Sequence, residues 1–151
     1  MKKIIISVIV FFLGISGTIF GISMMCNKVS AEVPEYNISL DPAYQEYTYT
    51  LCTENDLSYE LGLAVLYNTV GFESARADDI EYCVNKLTKL RDSGEELGLC
   101  DEDNFVFILL AYQTDKDFAI ETLKGSEYVY TDFINNVCNT KGSLEQTGEI
   151  L

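Results

Sequence analysis

Ser58-Tyr59-Glu60-Leu61-Gly62-Leu63-Ala64-Val65-Leu66-Tyr67-Asn68-Thr69-Val70-Gly71 is the stretch that decides the fold. Leu61, Leu63, Ala64, Val65, Leu66, Tyr67 and Val70 spread around nearly the whole circumference of a helix. A helix that is apolar all round has to be enclosed by others. Ser58 can accept from the free N–H groups of the first turn, and Gly71 supplies the stop, so the spacing predicts a helix over 59–70.

Working outward, the rest of the chain looks like its coat. Asp41-Pro42 opens a helix that runs to about Glu54, with Tyr44, Tyr47, Leu51 and Cys52 at helical spacing. Asn55-Asp56 breaks it. After a connection over 72–77, a third helix is predicted over 79–92. Ile80, Cys83, Val84, Leu87 and Leu90 form its stripe, and Glu81, Lys86, Lys89 and Arg91 lie away from it. Ser93-Gly94 disturbs that run and leaves 95–100 as a loop or a short extra turn. A second encircled apolar segment follows over 103–113, Asn104 to Tyr112. Its β-branched and aromatic content would also suit a strand, but no second strand is there to pair with it. A short helix over 115–124 stops at Gly125. Ser126 caps a last one over 127–139, with Tyr128, Phe133, Ile134 and Val137 inward. The prediction is a compact all-α domain over 41–139 with one core. Helices 59–70 and 103–113 are expected to be its most buried elements, packed on each other. Residues 32–40 read as a tether and 140–151 as a loose tail.

The first 31 residues stand apart. Met1-Lys2-Lys3 is a basic start, Ile4 to Cys26 runs without a charge, and Val29-Ser30-Ala31 carries small residues where a signal peptidase cuts. About 20 apolar residues can also span a bilayer, so an uncleaved membrane anchor is the alternative. In both cases the basic start places the remainder outside the cytoplasm, secreted or at the cell surface. Met24-Met25 before Cys26 lacks the small residues of a lipoprotein site.

Residues 32–151 hold all 24 acidic residues against seven basic ones, a formal charge of −17. Such a surface repels nucleic acid and anionic lipid, so membrane contact is expected only through the N-terminal segment. The plain account of the charge is solubility. Cys52, Cys83, Cys100 and Cys138 are an even set in an exported chain, which suggests disulfides with three possible pairings. Buried free thiols on helix faces are the other account. The chain has no histidine. That removes Ser-His and Cys-His nucleophile pairs and histidine-ligated metal sites. No metal and no cofactor is expected.

One segment resembles a known family. Leu63-Ala64-Val65-Leu66-Tyr67-Asn68-Thr69-Val70-Gly71-Phe72 is similar to the active-site helix of the lytic transglycosylases of the lysozyme-like superfamily, which commonly read Leu-Ala-x-x-x-x-Glu-Ser-Gly-Phe there. Ala111-Tyr112-Gln113 resembles that family's Ala-Tyr-Asn, and Ser126-Glu127-Tyr128 its Ser/Thr-x-Tyr. The order and spacing over roughly 40–138 carry the resemblance. It implies a lysozyme-like helical domain, with Phe72, Tyr112, Gln113 and Tyr128 as substrate-binding candidates.

The departures bear on activity. Thr69 stands where the resemblance implies the catalytic glutamate, Val70 replaces the serine, and a Gly-Leu-Met-Gln segment has no counterpart after Phe72. Cleaving a glycosidic bond needs a proton delivered to the leaving oxygen. Threonine has none to give near neutral pH, and general acid–base catalysis is worth about 10²–10⁴ in rate. The resemblance therefore implies a pseudoenzyme that binds peptidoglycan or an envelope protein. An alternative is an active transglycosylase or muramidase using another carboxylate, with Glu73, one turn on, as the fallback acid. Another is a helical interaction protein unrelated to glycan. Tyr44, Tyr47, Tyr49, Tyr128 and Tyr130 could present a binding surface, although helical spacing makes core packing the commoner account.

Overall fold

A computed structural model describes residues 33–125 and 131–150. The signal or anchor segment, the predicted cap Ser126, and Tyr128 and Tyr130 lie outside them. From Pro34 on, the described residues belong to one compact unit. It is all-α, with six helices: α1 Pro42–Glu54, α2 Tyr59–Thr69, α3 Ala77–Glu96, α4 Asp101–Gln113, α5 Lys116–Lys124 and α6 Asp132–Thr147. Among the described residues none is long and apolar enough to cross a membrane.

The caps are local chemistry. Asp41 accepts from the Ala43 N–H at 2.8 Å, Ser58 from Leu61 at 3.2 Å, and Asp115 from Phe118 at 2.8 Å, each satisfying a donor that the first turn leaves open. Gly71, at φ +80°, ends α2 in the left-handed region where a side chain would be strained. Asp56 also has a positive φ, 51°, in the α1–α2 turn. The Arg91 guanidinium donates to the carbonyls of Asn55 and Asp56 and holds that turn against α3.

The core runs through all six helices. Leu63, Leu66, Ile80, Leu87, Phe107, Leu109 and Ile134 are fully enclosed. The packing differs from the predicted pairing of the two apolar helices. Among the described residues α2 and α4 do not approach backbone to backbone: α2 packs on α1, α3 and α6, and α4 packs on α3, α5 and α6. A helix that is apolar on all sides needs partners on all sides, and these two are held apart by α3 and α6, which pack on both. The last turn of α2 is not enclosed: Tyr67, Thr69 and Val70 are exposed.

The predicted disturbance at Ser93-Gly94 does not occur: α3 continues through it to Glu96, so the connection expected over 95–100 is confined to 97–100. Gly94 is there to make room. A Cβ on it would stand 1.9 Å from Asn104 Oδ1 and 3.1 Å from Phe107 Cδ1 of α4. Asn104 is buried, its Nδ2 donates to the Arg91 carbonyl at 3.5 Å, and its Oδ1 rests against Gly94 with no conventional donor. Gly94→Ala should therefore destabilise the domain by about 1–3 kcal/mol through overpacking, although alanine is the better helix former. Adding Asn104→Ala should recover part of the loss. Chemical denaturation of the two variants measures both effects, and an unchanged midpoint for Gly94→Ala would refute the close approach.

The predicted loose tail is also helix. α6 starts at Asp132, with Thr131 as its cap in place of the predicted Ser126, and continues to Thr147. It continues because Thr140 and Leu144 stay on the buried face begun by Ile134 and Val137, while Lys141 and Glu145 pair one turn apart on the outside. The predicted tether 32–40 is likewise partly docked. Leu40 is buried, Tyr36 stacks on Tyr59 with ring centres 5.5 Å apart, and Asn37 forms an isolated parallel bridge with Glu149.

Candidate functional site

Position 69 is the last residue of α2. The Thr69 hydroxyl donates to the carbonyl of Val65 at 2.8 Å, with Leu66 at 3.3 Å, so it closes on its own helix. The residue is exposed. A dry setting for position 69, expected of a buried helix, is therefore absent: the apolar surround stops at Leu66.

The structure brings Thr69 and Tyr112 together. Tyr112 reaches across from the end of α4, and its hydroxyl interacts with Thr69 and with the Cys83 thiol of α3. Burial first, and then Cys83, push that hydroxyl well above the ordinary phenol range, with Thr69 acting weakly the other way. Burial likewise pushes the Cys83 thiol up to about 12, against the opposing effects of Tyr112 and Lys86. The Lys86 ammonium lies 4.3 Å from the centre of the Tyr112 ring and donates to the Tyr112 carbonyl at 2.9 Å. This is a cation–π contact that also covers a helix C-terminus. Phe133 stacks on the far face of the cluster, 6.1 Å from Tyr112 and nearly parallel.

The cluster holds no acid suited to glycosidic cleavage. A phenol and a thiol held above their ordinary values keep their protons near neutral pH, and threonine never yields its own. Among the described residues no carboxylate acts on the Tyr112 hydroxyl. Glu73 lies past the left-handed Gly71, exposed in the turn after α2. Glu60 is at the opposite end of α2 and accepts from Tyr36 at 2.6 Å and from Ser58 at 2.8 Å. Burial works to raise its pKa, but those bonds, with its own backbone and Lys141, hold it below the usual carboxylate range.

The substrate-binding candidates separate. Phe72 and Tyr112 are core residues, 4% and 8% exposed. Gln113 is exposed, and its Oε1 accepts from the Thr131 hydroxyl at 2.9 Å, which ties α4 to the start of α6. Tyr128 lies outside the described residues. Of the tyrosines on α1, Tyr49 packs edge-on against Tyr59 at 5.3 Å, and the Tyr47 hydroxyl donates to Glu81.

The four cysteines among the described residues carry free thiols. Cys52 and Cys83 lie on either side of Gly62: Cys83 Sγ is 3.9 Å from its carbonyl oxygen, and a Cβ on Gly62 would stand 2.6 Å from Cys52 Sγ. Cys138 is half-buried, and the exposed Cys100 donates to Asp103 at 3.2 Å. Among the described residues no group of cysteine and carboxylate side chains could hold a metal ion.

The sequence pattern missed Lys86, which it assigned to the solvent face. Its position three residues after Cys83, on the edge of the α3 stripe, was the available signal. No family model, no curated protein and no solved structure matches the chain.

Proposed function

We propose that the chain is an exported, catalytically silent binding protein of the cell envelope, built on a lysozyme-like scaffold. Residues 1–31 would serve as its signal or anchor, and its partner would be peptidoglycan or another envelope component. The observation that carries the silent part is the Thr69–Tyr112–Cys83 cluster, in which no group can deliver a proton near neutral pH. The lysozyme-like part rests on the order of the motifs and on the meeting of Thr69 with Tyr112. The remoteness of Glu73, beyond the end of α2, speaks against an enzyme that uses it.

Purified peptidoglycan incubated with the full chain should release no soluble muropeptides by mass analysis. Clear release would overturn the silent reading and direct attention to Glu73.

A further inference from the structure

On the surface where α2 meets α6, Tyr67, Asn68, Asn136, Asn139, Thr140 and Ser143 enclose a recess of about 320 Å³. That is near the lower limit for small-molecule sites. A smaller recess of about 160 Å³ adjoins it, sharing Tyr67 and Ile150 and reaching Asn37 and Ser39. Asn136, Asn139 and Thr140, with Ser143, sit at i, i+3, i+4 and i+7 along α6, so they form one stripe of amides and hydroxyls.

Three features define what this groove can hold. First, none of its lining residues is charged among those described, in a chain with a formal charge of −14. Glu149, next to Ile150, is engaged by the Asn37 amide at 2.9 Å. A charged ligand would find no counter-charge here. Second, Tyr67 is 40% exposed and its ring packs against that of Phe72 at a tilt, with ring centres 5.1 Å apart. It offers a fixed apolar platform at the edge of a polar recess. Third, the polar groups have capacity to spare. Asn68 spends its Nδ2 on the Ala64 carbonyl at 2.9 Å and on the Thr140 hydroxyl at 3.1 Å, which leaves its Oδ1 as an acceptor. Asn136 and Asn139 are exposed and offer both donors and acceptors.

We propose that this groove binds an uncharged saccharide, with one face of a sugar ring on Tyr67 and its hydroxyls on the amides of Asn136 and Asn139. A side-chain amide presents a donor and an acceptor side by side, and adjacent hydroxyls of a sugar ring can engage both. A peptide is the poorer fit, since peptide grooves draw affinity from an open strand edge or from apolar anchor pockets. The site is separate from the Thr69 cluster. The inference deepens the binding function proposed above and rests on it only in taking the chain to be a binding protein.

The test is calorimetric titration of the full chain with cellotetraose and chitotetraose as neutral probes, and with tetragalacturonate and trialanine as controls. At least one neutral probe should bind, with a dissociation constant on the order of millimolar or tighter. Tyr67→Ala should weaken that binding about tenfold or more, as loss of an aromatic anchor does, and Tyr67→Phe should retain it. Asn139→Ala, at an exposed position, should weaken it without a change in melting temperature. Absence of binding by both neutral probes, equal binding by the tyrosine and asparagine variants, or preference for tetragalacturonate or trialanine would overturn the proposal. Failure to bind without peptidoglycan cleavage would sink the groove alone, whereas cleavage with intact groove binding would sink only the silent reading.

Discussion

Leu66→Ala and Leu109→Ala should each lower stability by about 2–5 kcal/mol, the usual cost of emptying a leucine site in a core. Both side chains are wholly enclosed, Leu66 on α2 and Leu109 on α4. The packing adds a sharper expectation. α2 and α4 do not meet backbone to backbone, so Leu66 and Leu109 can couple only through the helices that touch both, α3 and α6. Without direct contact between the two helices, their losses should come close to adding. The double variant would then lose most of the 5–15 kcal/mol typical of a domain and should be largely unfolded at room temperature. Urea denaturation of the three variants measures this. A strong coupling between the two sites would mean that the shared neighbours α3 and α6 do not hold them apart, and unchanged midpoints would mean that neither is in a core.

The second large effect is alkaline unfolding. Burial raises the Cys52 thiol from 9.0 to about 12, with smaller contributions from Cys83 and Glu60, and Cys83 is raised to about 12 as well. A raised thiol pKa means that folding favours the protonated form. The stabilisation is whole below the unfolded value and is lost as pH climbs from about 9 toward 12, where the unfolded thiol releases its proton first. Each fully buried thiol contributes a slope of up to about 1.4 kcal/mol per pH unit across that window. Tyr36, Tyr59 and Tyr112 are raised too, chiefly by burial, and steepen the fall at its upper end. Denaturation midpoints taken between pH 8 and 11.5 should fall steeply above 9. Cys52→Ala should flatten that dependence even though the cavity it leaves lowers stability at every pH. A parallel curve for the variant would show that the thiol is not the titrating group.

The helices were legible in the sequence where the signal was local. Asp41-Pro42, Ser58 and Gly71 mark the starts and stops that the structure has, because caps depend on residues within one turn. The fate of 93–96 and 140–147 was not legible. Gly94 looks like a break until Asn104 and Phe107 of α4 are seen to need its missing side chain. The sequence Asn139-Thr140-Lys141-Gly142-Ser143-Leu144 looks like a tail until Thr140 and Leu144 are placed against the core. Both are tertiary effects that override local propensity. At the candidate site, the choice of Thr69 and Tyr112 as positions of interest was the legible part. Their surroundings were not, since exposure of the last turn of α2 depends on where its neighbours end, and Lys86 reaches Tyr112 only once α3 lies on α4. The groove on α6 was hidden for the same reason as the helix that forms it.

The bridge between Asn37 and Glu149, with the Asn37 N–H donating to the Gly148 carbonyl at 2.9 Å, brings the beginning and the end of the described fold to one point. Chain geometry of this kind brings the two ends of the span 37–149 nearly into a ring. A short glycine-rich link joining the two ends, with new termini opened in the α1–α2 or α4–α5 turn, would leave every helix where it is. The same property lets such a unit sit as an insert within another protein's surface loop, entering and leaving through a single narrow gap.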